Sequence, residues 1–297
     1  MSGHIVVTGA TGHVGGGIAE ALLGRGIAVK AVGRSADRLA SLVGKGAEAA
    51  VGSVEDAAFL EQTFAGARAV FVMVPPDYHD PEISAKQQRI VEAYGQALRK
   101  AGVTHVVALS SFGAEQPSGT GPIVSVHHLE NALKAIDGLH SVSLRAGYFM
   151  ENHLWNIGLI KGQGINGSTV RGDVPVPQVA TRDIAAVAAG LLGDLAFTGA
   201  TVRYVLGPKD VTLAEATSIL GRAVGKPELP YVQFDQESAR QGMLGAGLPA
   251  PVAELFLEME SALNDGLLAA APRSAENTTP TTLEQFVADT FVPAFGA

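Results

Sequence analysis

Short apolar runs and amphipathic stretches alternate along the first half of the chain. Segments 5–8, 27–32, 47–51, 69–74, 105–109 and 141–144 are strand-length apolar runs, several of them β-branched. They lack the apolar–polar alternation of a half-exposed sheet, so they read as strands covered on both faces. Between them, 14–23 places Val14, Ile18, Ala21 and Leu22 on one helical face. Segments 36–42, 55–64 and 123–136 also read as helices. The longest, 81–101, aligns Ile83, Ile90, Val91, Tyr94 and Leu98, with Pro81 suited to its first turn. Repeated strand–helix units predict a parallel sheet flanked by helices on both faces.

Beyond residue 150 the rhythm loosens. The Gly- and Pro-rich segment 158–177 predicts loops with a short hairpin. Segments 183–192, 213–224 and 252–268 read as helices, the last with Leu255, Met259, Ala262 and Leu263 on one side, and 202–206 as a strand. Segment 282–291 starts with a capping-box pattern from Thr281 or Thr282. Asp183 is expected to serve a structural role at a helix start, where the dipole favours a carboxylate. The expected architecture is α/β: a doubly wound parallel sheet over 1–152 and a smaller C-terminal α+β lobe over 153–297. Some later segments are expected to return to the large sheet.

Composition narrows the function. The chain has 297 residues, 21 Lys+Arg against 29 Asp+Glu, and a formal net charge of −8. Without a basic run it is a poor partner for nucleic acid or anionic membranes. The absence of cysteine excludes disulfides, thiol catalysis and iron–sulfur clusters. No metal site is expected: His127 and Glu130 share a helix face, but no third ligand has convincing spacing. The greasiest stretch, 184–195, falls short of the roughly 20 residues of a membrane span. The first residues lack the features of a secretory signal. A cytoplasmic protein acting on a small molecule is the expectation. A homodimer is compatible with the sequence but not specified by it.

The strongest chemical signal is Gly9-x-x-Gly12-x-x-Gly15, between a strand and a helix. In a dinucleotide fold the first glycine allows the sharp turn, the second lets backbone approach a pyrophosphate, and the third lets helix and strand pack closely. Thr11, His13 and Val14 complete the loop, and the helix N-terminus faces the phosphates. At the end of the second strand, NAD-binding chains carry a carboxylate for the ribose. Here Arg34 follows Gly33, with Arg38 one turn on and Lys45 nearby, which favours the 2′-phosphate of NADP(H) over NAD(H). Ser53 and Val54 are expected beside adenine. Met73, Val74 and Pro75, with the adjoining Pro76, are expected along the ribose and nicotinamide. Ser110 and Ser111 are expected to face the nicotinamide, or else to bond local turn backbone.

Four segments carry a family resemblance: VTGATGHVG over 7–15, Arg34, ALSSFGA over 108–114, and SLRAGYFMEN over 143–152. Together they resemble the NmrA-like branch of the atypical short-chain dehydrogenase/reductases, over nearly the whole chain; the closing TTLEQFV agrees. The resemblance implies an NADP(H)-binding Rossmann domain, a small C-terminal lobe and a substrate cleft between them. The family includes quinone and azo-dye reductases, isoflavone-reductase-like enzymes and regulators that sense NADP(H) without turnover. Two departures matter. No Tyr-x-x-x-Lys pair follows Ser111; the corresponding helix carries His127 and His128, candidates for acid–base catalysis, ribose binding or a plain surface position. The usual Gly-Asp after the third strand is Gly52-Ser53, which weakens the expected adenine contact.

Phe112, Tyr148, Phe149, Asn152 and Trp155 are the candidate substrate residues, with packing between lobes the alternative for the aromatics. Ser111, His127 and His128 are the candidate catalytic residues. The preferred reading is an NADPH-dependent reductase transferring hydride to a small, planar, electron-poor quinone, enone or activated carbonyl. The missing Tyr–Lys pair favours acceptors that need little acid assistance. It equally suits a non-catalytic NADP(H) sensor. A lyase or isomerase that uses bound cofactor internally is a third reading.

Overall fold

The computed structural model describes residues 3–297. The first half runs β1 (Ile5–Val7), α1 (His13–Gly24), β2 (Val29–Gly33), α2 (Ala36–Gly44), β3 (Glu48–Val51), α3 (Ala57–Phe64), β4 (Ala69–Val72), α4 (Ile83–Ala101), β5 (His105–Ser111), α5 (Val124–Lys134) and β6 (His140–Ala146). The second half runs β7 (Tyr148–Phe149), a 3-10 turn (Met150–Asn156), α6 (Ile157–Gln163), β8 (Asn166–Ser168), β9 (Pro175–Val179), α7 (Thr181–Asp194) and β10 (Ala200–Val205). It continues with β11 (Asp210–Thr212), α8 (Leu213–Ala223), β12 (Tyr231–Gln233), α9 (Gln236–Gly245), α10 (Ala250–Asn264), α11 (Leu283–Phe286) and α12 (Val292–Gly296).

Seven parallel strands form the main sheet in the order β10-β6-β5-β4-β1-β2-β3. β1 lies inside it, between β4 and β2, and all three of its side chains are fully buried. Burial on both faces is why the inner runs of β1 and β4 carry no polar alternation, whereas the edge strands β3 and β10 are largely exposed. Side chains of α1, α2 and α7 build the core on one face, and those of α3, α4 and α5 build it on the other. A fully buried aliphatic or aromatic side chain contributes about 1.5–3 kcal/mol, so these two layers dominate the fold. Two smaller sheets, β11-β9-β7 and β12-β8, lie in the second half with their own apolar clusters.

The chain does not divide cleanly in sequence. α7 packs on α1 so closely that a Cβ at Gly17 would lie 2.9 Å from the Ala185 Cβ. β10 then extends the main sheet beside β6. The expected hairpin in 158–177 is absent. That segment contains α6, then β8 paired in parallel with β12, and β9 paired antiparallel with β11 and parallel with β7. Proline and glycine there mark turns between strands whose partners are distant in sequence. Helix α9 lies outside the helices expected from the sequence. The tail helix passes through a π-helical turn (Val287–Phe291) into α12.

Thr282 makes the capping box: its Oγ1 accepts from Gln285 N at 3.1 Å, and Gln285 Oε1 accepts from Thr282 N at 2.9 Å. Buried Asp183, in the first turn of α7, accepts from Thr281 N at 3.0 Å and from Thr281 Oγ1 at 2.8 Å. It thereby ties the C-terminal segment to the main sheet's helix layer. Asp183→Ala leaves both Thr281 donors without their acceptor. It should lower stability by about 1–3 kcal/mol, measured by urea denaturation.

Candidate functional site

The three fingerprint glycines have separate reasons. Gly9 has φ +62°, and a Cβ there would lie 2.9 Å from Met73 Sδ. A Cβ on Gly15 would lie 2.4 Å from Gly9 O, inside any tolerable contact. Gly12 differs. It is exposed and extended (φ −99°), and a Cβ would meet only Gly9 O, at an ordinary 3.4 Å. The protein itself does not require this glycine, whereas a pyrophosphate pressed against the backbone would. Thr11 is half-buried and His13 exposed, while Val14 is buried against the sheet. No acidic residue occupies the first turn of α1, and its first N–H groups have no acceptor within the helix. An anion fits this end of α1.

Arg34 is exposed at the end of β2 and makes no hydrogen bond or ion pair among the described residues. Arg38 lies against the glycine loop, donating from Nη2 to Thr11 O at 3.3 Å. Lys45 is engaged elsewhere, 2.5 Å from Glu20. Ser53 Oγ accepts from Glu55 N at 3.2 Å, which fixes the turn after β3, and Val54 packs against the core. A staple missed from sequence joins this turn to the loop after β4. Lys86 Nζ lies 2.8 Å from Asp77, 3.2 Å from Asp80 and 3.7 Å from Glu55. Asp77 holds the Lys86 ammonium above its usual range, and Lys86 in turn holds the Asp77 carboxyl below its own.

A chamber of about 240 Å³ opens at the carboxyl ends of β4 and β5. It brings together Met73, Val74, Ser110, Ser111, Phe112, Tyr148, Phe149, Asn152 and Trp155. Pro75 lies in the same loop but is not in its lining; Pro76 is. The backbone of this corner is fixed by Tyr94, which donates to Met73 O at 2.9 Å and lies 3.2 Å from Thr8 Oγ1. Sequence reasoning missed Tyr78, Gln87, Phe256 and Met259. Tyr78, Trp155 and Phe256 come from three separate segments, and their rings meet with centroids 4.9–6.1 Å apart. Buried Gln87 makes no side-chain hydrogen bond among the described residues, leaving its amide to the chamber.

The serines and histidines separate here. Ser110 Oγ donates to Glu130 at 2.6 Å, and Ser111 Oγ bonds Phe112 O at 2.9 Å. Neither His127 nor His128 is in the lining of the chamber or of the cavity behind it. His127 is held at both ring nitrogens, by Ala114 O and by Asn131 Nδ2, each at 2.8 Å. His128 is exposed. Their helix turns Glu130 inward in their place. Glu130 takes two bonds from Arg145, at 3.0 and 2.8 Å, and Arg145 continues to Glu115 at 2.8 Å and Tyr204 at 3.3 Å. Hydrogen bonding to Glu130 raises the Arg145 pKa further. The network braces β5, α5 and β6 directly behind Ser110. Among the described residues, no cluster of three or more His, Asp or Glu is placed to hold a metal ion. Among the described residues, no helix is long and apolar enough to cross a membrane.

A doubly wound sheet with this loop and cleft defines a dinucleotide-binding α/β protein. The NmrA-like family profile matches residues 1–287, and the chain belongs to that family. It is 32% identical to a (4-alkanoyl-5-oxo-2,5-dihydrofuran-3-yl)methyl phosphate reductase of Streptomyces griseus, covering 93% of this chain and 92% of the relative. It is 29% identical to an NAD(P)H azoreductase of Xenophilus azovorans, over 86% and 85%. Among solved structures, the Escherichia coli NADPH-dependent quinone oxidoreductase in complex with NADPH superposes with TM-score 0.78 at 21% identity, over 97% of this chain and 99% of that one.

Two substitutions separate fold from function in the loop. Gly12→Ala should cost at most about 1 kcal/mol of stability, as at any helix start, yet weaken nucleotide affinity by about tenfold or more. Gly15→Ala should lower the unfolding midpoint itself. Calorimetric binding and thermal denaturation check the pair. Glu130→Ala leaves Arg145 paired with Glu115 alone and Ser110 without its acceptor, and should cost about 2–4 kcal/mol, read by urea denaturation.

Proposed function

We propose that the chain is an NAD(P)H-dependent oxidoreductase, using NADPH in preference to NADH, that reduces a small planar electron-poor acceptor: a quinone, enone or activated carbonyl. The observation that carries this reading is the chamber at the ends of β4 and β5, walled by Tyr148, Phe149, Trp155 and Phe256. Such walls suit a flat ring, and the loop one strand away suits a pyrophosphate. The named relatives reduce small molecules, and two of the names specify NADPH or NAD(P)H.

Bound across the loop and the chamber, the reduced nicotinamide supplies a hydride. The chain's residues position and enclose the reactants. Gly12 and the start of α1 would hold the pyrophosphate, and Arg34 with Arg38 would meet the 2′-phosphate. Tyr94 fixes the backbone at Met73, and Thr8 fixes it at Phe71. Tyr148 keeps its proton, because burial and then the Glu260 charge push its phenol well above the usual range. It can therefore donate a hydrogen bond to an acceptor oxygen. A quinone that takes a hydride and a proton becomes a hydroquinone, and its oxygens need little help from a strong acid. That matches a site whose histidines lie elsewhere.

Wild-type protein should oxidise NADPH faster in the presence of small quinones than the uncatalysed mixture does. Arg34→Ala should raise the KM for NADPH by about tenfold, the worth of one or two charge-assisted bonds, with little change for NADH. Tight NADPH binding without oxidation across a quinone panel would favour the sensor reading. A preference for NADPH that survives Arg34→Ala would overturn the role given to that residue.

A further inference from the structure

Behind the chamber lies a larger cavity of about 670 Å³ in the C-terminal lobe. Tyr148, Asn152, Trp155, Phe256, Met259 and Leu263 line both, so the two share a wall. This cavity exceeds anything a small quinone ring needs. Its far walls are mostly apolar and aromatic, from Leu159, Val170, Leu213, Phe234, Met243 and Leu248, with the uncharged polar side chains of Asn156, Gln163 and Ser238 also in the lining.

One carboxylate stands in this lining. Glu260, on α10, accepts from Thr169 N at 3.0 Å and from Thr169 Oγ1, both through Oε2. Its other oxygen, Oε1, makes no hydrogen bond among the described residues, and Glu260 has no ion-pair partner there. No Lys or Arg lines either cavity. The only other ionisable group besides the tyrosines is buried His153. Its Nε2 bonds Gln178 Oε1 at 2.9 Å, and burial holds its pKa below the usual value, so it stays neutral. Tyr231 is pushed up to about 12, first by burial, and also stays neutral. Burial likewise raises the Glu260 carboxyl, as expected of an acid that lacks a counter-charge.

We propose that the rear cavity recognises an organic cation: the substrate's acceptor ring sits in the front chamber and its amine-bearing arm extends back, placing the positive charge against Glu260 Oε1 and the faces of Tyr231 and Phe234. The carboxylate supplies the charge, and the aromatic faces suit an ammonium that has shed its water. A carboxylate or phosphate on the same arm would meet Glu260 with no cation to receive it. The placement of the acceptor ring rests on the proposed hydride-transfer site. The choice of a cation rests on the rear cavity alone.

Binding without turnover tests the cation independently of any reductase activity. The probes are phenylalkyl compounds of equal length ending in trimethylammonium, tert-butyl or carboxylate, titrated calorimetrically into the full chain. The ammonium compound should bind about tenfold or more tightly than its tert-butyl isostere, and the carboxylate most weakly. Glu260→Gln keeps an oxygen to accept from Thr169, and it should erase the difference between ammonium and tert-butyl. Equal binding of those two by wild type, tighter binding of the carboxylate, or an ammonium preference that survives Glu260→Gln would each overturn the proposal. Wild-type protein decides the point even if the variant does not fold.

Discussion

The close approach of α1 to the turn after β1 is the constraint on which the rest of the structure depends. With Gly15 against Gly9 O, the helix starts directly over the carboxyl end of β1. Two glycines, one required by its positive φ and one by a backbone contact, make that approach possible. It leaves the first N–H groups of α1 facing the groove where a phosphate would sit. It also sets the height at which α7 crosses α1, Gly17 against Ala185. Because α7 leads into β10, the same contact fixes how a segment from the second half re-enters the main sheet.

A second constraint sits behind the chamber. The pair of Arg145 and Glu130 is buried, bidentate and shared with Ser110. Buried ion pairs add little net stability, but they are costly to break. Here the pair joins a strand, a helix and the neighbouring strand at the corner where the chamber opens. In this chain the helix that carries His127 and His128 also supplies Glu130, which braces the corner. On the proposed function, an acceptor in the cleft meets hydrogen-bond donors such as Tyr148, which keeps its proton, and so must need little acid assistance.

The main sheet was legible because its strands are continuous apolar runs and its helices are amphipathic at regular spacing. The small sheets were not. β8 reads Asn-Gly-Ser, with no apolar pattern, and takes its partner β12 from more than sixty positions away. α9 has no buried residue, so no apolar stripe announces it. The front chamber was largely visible, since Ser110, Phe112, Tyr148 and Asn152 lie near strand ends where ligands bind in this topology. His127 and His128 stand on the helix where the resemblance expects the Tyr–Lys pair, but neither lines the chamber; that helix turns Ser125 and Val126 to the chamber and buries Glu130. Glu260 gave no sequence signal, because one glutamate on an amphipathic helix is ordinary until a cavity is found beside it.

On the proposed function a reduced nicotinamide reaches into the front chamber, within energy-transfer distance of the wall that carries Trp155. Trp155 is the sole tryptophan of the chain, so its fluorescence reports that wall alone. Titration with NADPH should quench Trp155 and give rise to energy-transferred emission from the nicotinamide, both saturating together. Saturable binding by calorimetry with Trp155 emission unchanged would put the nicotinamide elsewhere and contradict the account.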